Sequence, residues 1–166
     1  MSEKQKDAEG IKLICRNKRA MHDYFVEKRI EAGIVLKGSE VKSCRNGKVQ
    51  LVDSYALVEK SEIFLFKAHI AEYMQGGPYF NHLATRTRKL LLHKKEIRAL
   101  KEGIEQQGYT LIPLSMYFKK GVAKVELGLA KGKTKGDKRE SEKSQEQNRE
   151  VARAVRRTRA GSWDED

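Results

Sequence analysis

Beyond Ala130 the chain stops supplying the material of a core. From Lys131 to Asp166 the only large apolar residues are Val151, Val155 and Trp163, too few to bury against one another. A packed domain must come from the first 130 residues, which is enough for one core. The pattern predicts three regions: a polar arm over 1–16, one domain over 17–130 and a basic tail over 131–166.

Within 17–130 the apolar residues come in short runs. Phe25, Ile30, Ile34 and Leu36 predict two β segments across 23–36, broken or bent at Gly33. Gly38–Gly47 reads as a short helix, with Ser39 as its N-cap and Gly47 at the left-handed C-terminal position. Strands are predicted over 54–59 and 63–70, turning at Lys60-Ser61. Residues 73–87, with Gly76-Gly77-Pro78 and no periodicity, predict an exposed mobile loop. Ile97, Leu100 and Ile104 recur at helical spacing over 93–107, and Gly108 follows. A last hairpin pairs 109–118 with 122–130 across Lys119-Lys120-Gly121. The expected fold is mainly β with helices: about six antiparallel strands and two to three helices in a closed or partly closed barrel of oligonucleotide-binding type, plus a flexible basic tail.

Charge narrows the partner. The net charge is +12, and so large an excess works against compaction and suits a polyanion. The domain side, 1–130, has 24 basic and 15 acidic residues, and the tail has 11 and 8. Both are therefore cationic, which argues for two anion-facing surfaces. No stretch approaches the ~20 apolar residues that span a bilayer, and Met1–Gly10 has no apolar signal region. No membrane partner and a cytoplasmic protein are expected. Cys15 and Cys44 form no CxxC pair, and cytosolic thiols stay reduced.

The tail from Lys138 to Ala160 lacks Gly and Pro. On a wheel of ~100° per residue, Lys138, Arg139, Lys143, Arg149, Arg153, Arg156 and Arg157 fall within roughly 140°. Glu142, Glu146 and Glu150 share that sector. With no apolar face to anchor it, the tail is expected to be disordered when free and helical along RNA phosphates.

Enzyme chemistry finds little purchase. His22, His69, His82 and His93 lack metal-ligand spacing, so no metal or cofactor is expected. No Ser/His or Cys/His arrangement suggests a nucleophile. Glu31, Glu40 and Asp53 read as solvated or capping carboxylates, and Gly128-Leu-Ala-Lys-Gly-Lys lacks phosphate-loop spacing. Basic clusters near β elements and aromatics recur instead: Arg16, Lys18 and Arg19 before His22, Tyr24 and Phe25; Arg86, Arg88 and Lys89 before Leu90-Leu91-Leu92-His93; Lys119 and Lys120 beside Tyr117 and Phe118. Cations neutralise phosphates and flat rings stack on unpaired bases.

Seven ordered motifs over Asn17–Arg139 carry a family resemblance. They are Asn17-Lys-Arg-Ala, His22-Asp-Tyr-Phe, Glu31-Ala-Gly, Gly38-Ser-Glu-Val-Lys-Ser, Asp53-Ser-Tyr, Thr87-Arg-Lys-Leu-Leu-Leu-His, and Gly128-Leu-Ala-Lys-Gly-Lys with Asp137-Lys-Arg. In these the chain resembles the small protein B family of SsrA-binding (tmRNA-binding) proteins. The resemblance implies a β-barrel gripping the tRNA-like domain of tmRNA, a tail in the empty mRNA channel and small-subunit decoding centre of a stalled ribosome, and no catalysed bond change. It places tmRNA contact at Asn17, Lys18, Arg19, His22, Tyr24, Glu31, Lys89, Leu91 and Leu92, on a monomer when bound. Ribosome contact falls on Lys131, Gly132, Lys133, Asp137, Lys138 and Arg139, and physically on Arg153, Arg156 and Arg157.

Two points stay open at this level. Glu31 beside RNA either accepts hydrogen bonds from base amino groups or a 2′-hydroxyl, or orders a neighbouring lysine. Family members often carry a flat side chain before Asp-Lys-Arg, where this chain has Gly136, so stacking there needs another group. The alternatives are a generic ribosome-associated RNA-binding barrel, and an RNA-processing enzyme that would need Glu31, Glu40 and His22 to converge on a pocket.

Overall fold

The computed structural model describes residues 10–77 and 79–160, with side chains to Arg157. Residues up to Gly132 form one unit and those from Lys133 a second. In chain order the first unit contains β1 (Ile11–Arg16), α1 (Lys18–Asp23), β2 (Tyr24–Ile34), α2 (Gly38–Arg45) and β3 (Val49–Gln50). It continues through β4 (Tyr55–Glu59), β5 (Glu62–Phe66), β6 (His69–Ile70), a 3-10 turn (Met74–Gly76), β7 (Arg88–Leu91), α3 (Lys94–Gln107), β8 (Thr110–Lys119) and β9 (Val122–Gly132). The second unit is α4 (Lys135–Ala160).

Six strands close into an antiparallel ring, β8–β4–β5–β7–β2–β9 and back to β8. β1 adds to β8 at residues 115–119, beyond the point where β4 meets it at Leu111. This is the mainly β, barrel-like fold that the sequence predicts. Its two tight hairpins turn on residue pairs with positive φ, Lys60-Ser61 and Lys120-Gly121, the conformation that matches strand twist.

The details differ in instructive ways. β2 runs unbroken through Gly33, because the glycine serves close approach and not a bend: a Cβ there would stand 3.1 Å from Leu91 Cβ. The arm expected to reach residue 16 ends earlier, since Ile11–Arg16 pairs with β8 and buries Ile14 and Cys15 against the core; residues 1–9 lie outside the described ones. β7 and α1 carry no clear periodicity and were not expected. In β7, Arg88 and Leu90 are buried while Lys89 and Leu91 face out, so a buried arginine hides the alternation.

That arginine organises the interior. Arg88 and Glu40 are both fully buried. Arg88 Nε donates to Glu40, and its other nitrogens reach Ala68 O at 2.7 Å and Ala84 O at 3.0 Å. Glu40 also accepts from Arg86 and, at 3.0 Å, from Lys37 N at the start of α2. Burial pushes the Glu40 carboxyl up, but the Lys37 N–H and the two guanidinium groups outweigh it and hold it below the usual range. Helix α2 is thus capped by Glu40, and not by Ser39, whose hydroxyl meets His82 Nδ1 at 2.8 Å. Its other end closes as expected: Gly47 N reaches Cys44 O at 3.0 Å and Lys48 N reaches Ser43 O at 3.1 Å, with Gly47 at φ 71°.

Candidate nucleic-acid interface

The first group of predicted residues gathers on α1. Asn17 is buried, and its side chain knots this corner together. Its carbonyl oxygen accepts from Ala20 N at 3.1 Å, and its amide donates to Leu51 O at 3.2 Å and Pro113 O at 3.0 Å. Asn17 therefore positions α1 and presents no free polar group outward. Lys18 and Arg19 are exposed. Arg19 spans Asp23 at 3.3 Å and Asp53 at 3.6 Å, and His22 Nδ1 lies 2.8 Å from Asp23. Tyr24 is half-buried against the Ala20, Ile112 and Leu114 cluster. Arg19, Tyr24, Asp53 and Tyr55 line a cleft of about 210 Å³.

A second group meets in a larger groove of about 700 Å³, whose lining includes Lys28, Arg29, Glu31, Leu91, Leu92 and Lys124. Strand register explains the assembly: Gly33 on β2 stands opposite Leu91 on β7 and Lys124 on β9. With no side chain at Gly33, Leu91 settles against the strand and remains half exposed. Glu31 lies directly opposite Glu126, a like-charge pairing that is unfavourable alone. Each carboxylate has its own partners. Arg29 Nη1 meets Glu126 at 2.9 Å, while Glu31 accepts from the Tyr117 hydroxyl and lies 3.6 Å from Lys119 Nζ. Burial, then the Glu31 hydrogen bond, pushes the Tyr117 phenol well above its ordinary range. The second reading of Glu31, ordering a lysine, thus has a geometric counterpart, and its other oxygen is not tied by Tyr117.

Lys89 sits beside this groove on the outer face of β7, with its ammonium 2.9 Å from Glu62. Of the basic cluster read at 86–89, only Lys89 is an exposed cation; Arg88 is internal and Arg86 is drawn onto Glu40. The groove adds Lys28, Arg29 and Lys124, which sequence reading did not single out. Their signal was diffuse, one share each of the domain's basic excess.

The residues read as ribosome-facing begin at the end of β9. Lys131 Nζ stands 4.6 Å above the Tyr109 ring, whose hydroxyl donates to Glu27. Gly132 is exposed and closes β9. In the second unit Thr134 and Asp137 cap α4 reciprocally: Thr134 N and Oγ1 donate to Asp137 at 3.1 and 2.7 Å, and Asp137 N donates to Thr134 Oγ1 at 3.3 Å. Those Thr134 bonds hold the Asp137 carboxyl below its usual range. Lys133 Nζ reaches Ser141 at 3.4 Å. Lys138 lies in the first turns with Arg139, and Arg153, Arg156 and Arg157 are exposed along the helix. Gly136 occupies the first turn. Trp163 and the acidic end lie outside the described residues.

The enzyme constellation does not assemble. Glu31 lines the groove, Glu40 is internal and His22 sits on α1, so the three share no pocket. Among the described residues no His, Cys, Asp or Glu group is arranged to hold a metal ion, and no helix is long and apolar enough to cross a membrane.

Fold and surface together define a class: a small basic antiparallel β ring that sets cations beside flat and apolar side chains, as proteins that take RNA do. Comparison with known proteins narrows it. The family model described as SmpB protein matches residues 14–157. An SsrA-binding protein of Geobacillus thermodenitrificans is 58% identical over 145 residues, covering 87% of this chain and 93% of that protein. Those of Geobacter sulfurreducens and Halothermothrix orenii are 57% and 53% identical, each covering 89% of this chain and 95% of its own. A solved chain described as "tmRNA-SmpB: a journey to the center of the bacterial ribosome" matches with a TM-score of 0.62 and 49% identity, over 76% of this chain and 92% of that one. The chain belongs to the SmpB family of SsrA-binding proteins.

Proposed function

We propose that this chain binds the tRNA-like domain of tmRNA and brings it to stalled bacterial ribosomes in the cytoplasm, where the tail probes the empty mRNA channel and decoding centre. It acts by binding and positioning, as a monomer, and catalyses no bond change. The observation that carries the reading is the groove, where Glu31, Leu91 and Leu92 meet Lys28, Arg29 and Lys124. Cations there take phosphates, the leucines take a base or sugar face, and Glu31, steadied by Tyr117, accepts from base amino groups or a 2′-hydroxyl. Lys18, Arg19 and His22 on α1, Tyr24 at the start of β2 and Lys89 on β7 extend the contact, and Asn17 supports α1 from within.

Lys131, Gly132, Lys133, Asp137, Lys138 and Arg139 serve the ribosome together with Arg153, Arg156 and Arg157. The backbone and neighbours of Gly136 replace a stacking side chain. Among the described residues the tail helix has the Thr134–Asp137 cap at its start and no buried face, so it gains most of its persistence along RNA phosphates.

Affinity measurements on two groove variants test the reading. Leu91→Ala and Lys124→Ala should each weaken tmRNA binding by roughly tenfold, a contact of ~1–2 kcal/mol, with unchanged melting. Unaltered affinity in both would remove the groove from the interface.

A further inference from the structure

Two thirteen-residue stretches, 73–85 and 106–118, contain no Lys, Arg, Asp or Glu, in a chain of which 35% is charged. The second needs no partner, since most of it is the buried strand β8. The first is a surface loop. Met74, Tyr79, Phe80 and Leu83 are 85%, 92%, 83% and 70% exposed, a concentration of large apolar side chains that marks an interaction site.

The loop is exposed, as the sequence predicts, and its neck is tied by hydrogen bonds that the sequence does not signal. Asn81 clasps the Tyr73 backbone in both directions, accepting from Tyr73 N at 2.9 Å and donating to Tyr73 O at 2.8 Å. His82 is buried between Ser39 Oγ at 2.8 Å and Ile70 O at 2.9 Å. Lys42 Nζ stands 5.2 Å above the Tyr73 ring. The loop is thus held out at both ends while its apolar side chains meet water.

We propose that this loop is a second RNA contact, in which Tyr79 and Phe80 stack on an unpaired base. Without a charge of its own the loop cannot neutralise phosphate, so its contact is with base faces, which stack on aromatic rings whatever their sequence. Charge at the neck favours RNA over an apolar protein surface. The exposed cations there are Lys42, over the Tyr73 ring, and Lys48, whose carbonyl takes Ala71 N, against the one exposed neighbouring carboxylate Glu72, and the surplus suits the phosphates flanking a stacked base.

The inference rests on the RNA-binding reading above, and the experiment separates the two. Full-length chain carrying a photoreactive phenylalanine analogue at position 79 is irradiated with tmRNA alone, and with tmRNA plus 70S ribosomes stalled on a truncated mRNA. In parallel, affinities for both probes are measured for wild type, for Tyr79→Ala with Phe80→Ala, and for Tyr79→Phe with Phe80→Tyr. The expected result is a cross-link to an unpaired nucleotide, a loss of about tenfold or more for the alanine pair on that same probe, and near-wild-type binding for the aromatic pair. Cross-linking to a ribosomal protein overturns the proposal in favour of a protein partner. So does unchanged affinity of the alanine pair for both probes while wild type binds. Failure of wild type to bind tmRNA would defeat the proposed function itself.

Discussion

Arg88 in the ring is fully buried and closes on Glu40, Ala68 and Ala84, whereas in the tail helix every side chain from Glu142 to Arg157 is exposed. The two regions use similar residues for opposite ends. In the ring, charge is part of the fold: Glu40 and Arg88 join α2 to β7, and Arg29 and Lys119 offset the facing carboxylates Glu126 and Glu31. In the tail, charge is sorted along the axis. Lys135–Gln147 holds four bases and four acids, while Asn148–Ala160 holds five bases and one acid. A basic residue in this chain is therefore evidence of a polyanion only where the fold leaves it outside.

The comparison breaks most sharply under truncation. Stopping the chain after Gly132 should abolish peptide tagging on stalled ribosomes, read by the appearance of tagged product, while tmRNA affinity changes by less than a few-fold. The cut belongs after Gly132 and not after Ala130, because β2 pairs Phe25 with Lys131 and Tyr24 with Gly132. Equal loss of both activities would contradict two separate surfaces.

Next in size is a substitution confined to the ring. Glu40→Ala leaves a buried guanidinium unpaired and should cost about 3–5 kcal/mol in urea unfolding. The pH dependence has a definite sign. Glu40 is depressed in the fold, so its contribution is complete above the unfolded value near 4.5 and is lost as pH falls below it. Wild type should lose stability on acidification through that range, and Glu40→Ala should lose less.

Smaller still is the effect on the groove. Tyr117→Phe removes the hydroxyl that steadies Glu31, worth about 1 kcal/mol, and should weaken tmRNA binding several-fold with no change in tail function. The smallest effect falls on the tail: Thr134→Ala opens the cap and should cost about 1 kcal/mol of helix, seen as lower helical ellipticity.

Much of this architecture is legible in the residues. The hairpins at Lys60-Ser61 and Lys120-Gly121, α3 with its Ile97 and Leu100 face, and the closed β character all follow from local patterning. β7 was not legible, because a buried arginine replaces the apolar residue that would complete its alternation. Gly33 reads as a break only if glycine is assumed to turn a chain; here it admits Leu91. For the site, motif resemblance named Glu31, Leu91 and Leu92 far apart in sequence, and strand register brings them together. Lys28, Arg29 and Lys124 were hidden among many lysines and arginines. The motif reads Asn17 as a contact, and its buried hydrogen bonds give it a part that sequence does not disclose, holding α1 from within.

The central claim, a ring surface selective for tmRNA, is tested most directly by competition. Labelled tmRNA is bound to the full chain and to the chain ending at Gly132, against excess ordinary tRNA, between ~50 and ~200 mM salt, a range over which phosphate-only binding falls by orders of magnitude. Both chains should retain tmRNA at the higher salt while tRNA competes poorly. Equal competition, with binding to both RNAs collapsing together, would contradict the account and leave a generic basic RNA-binding ring.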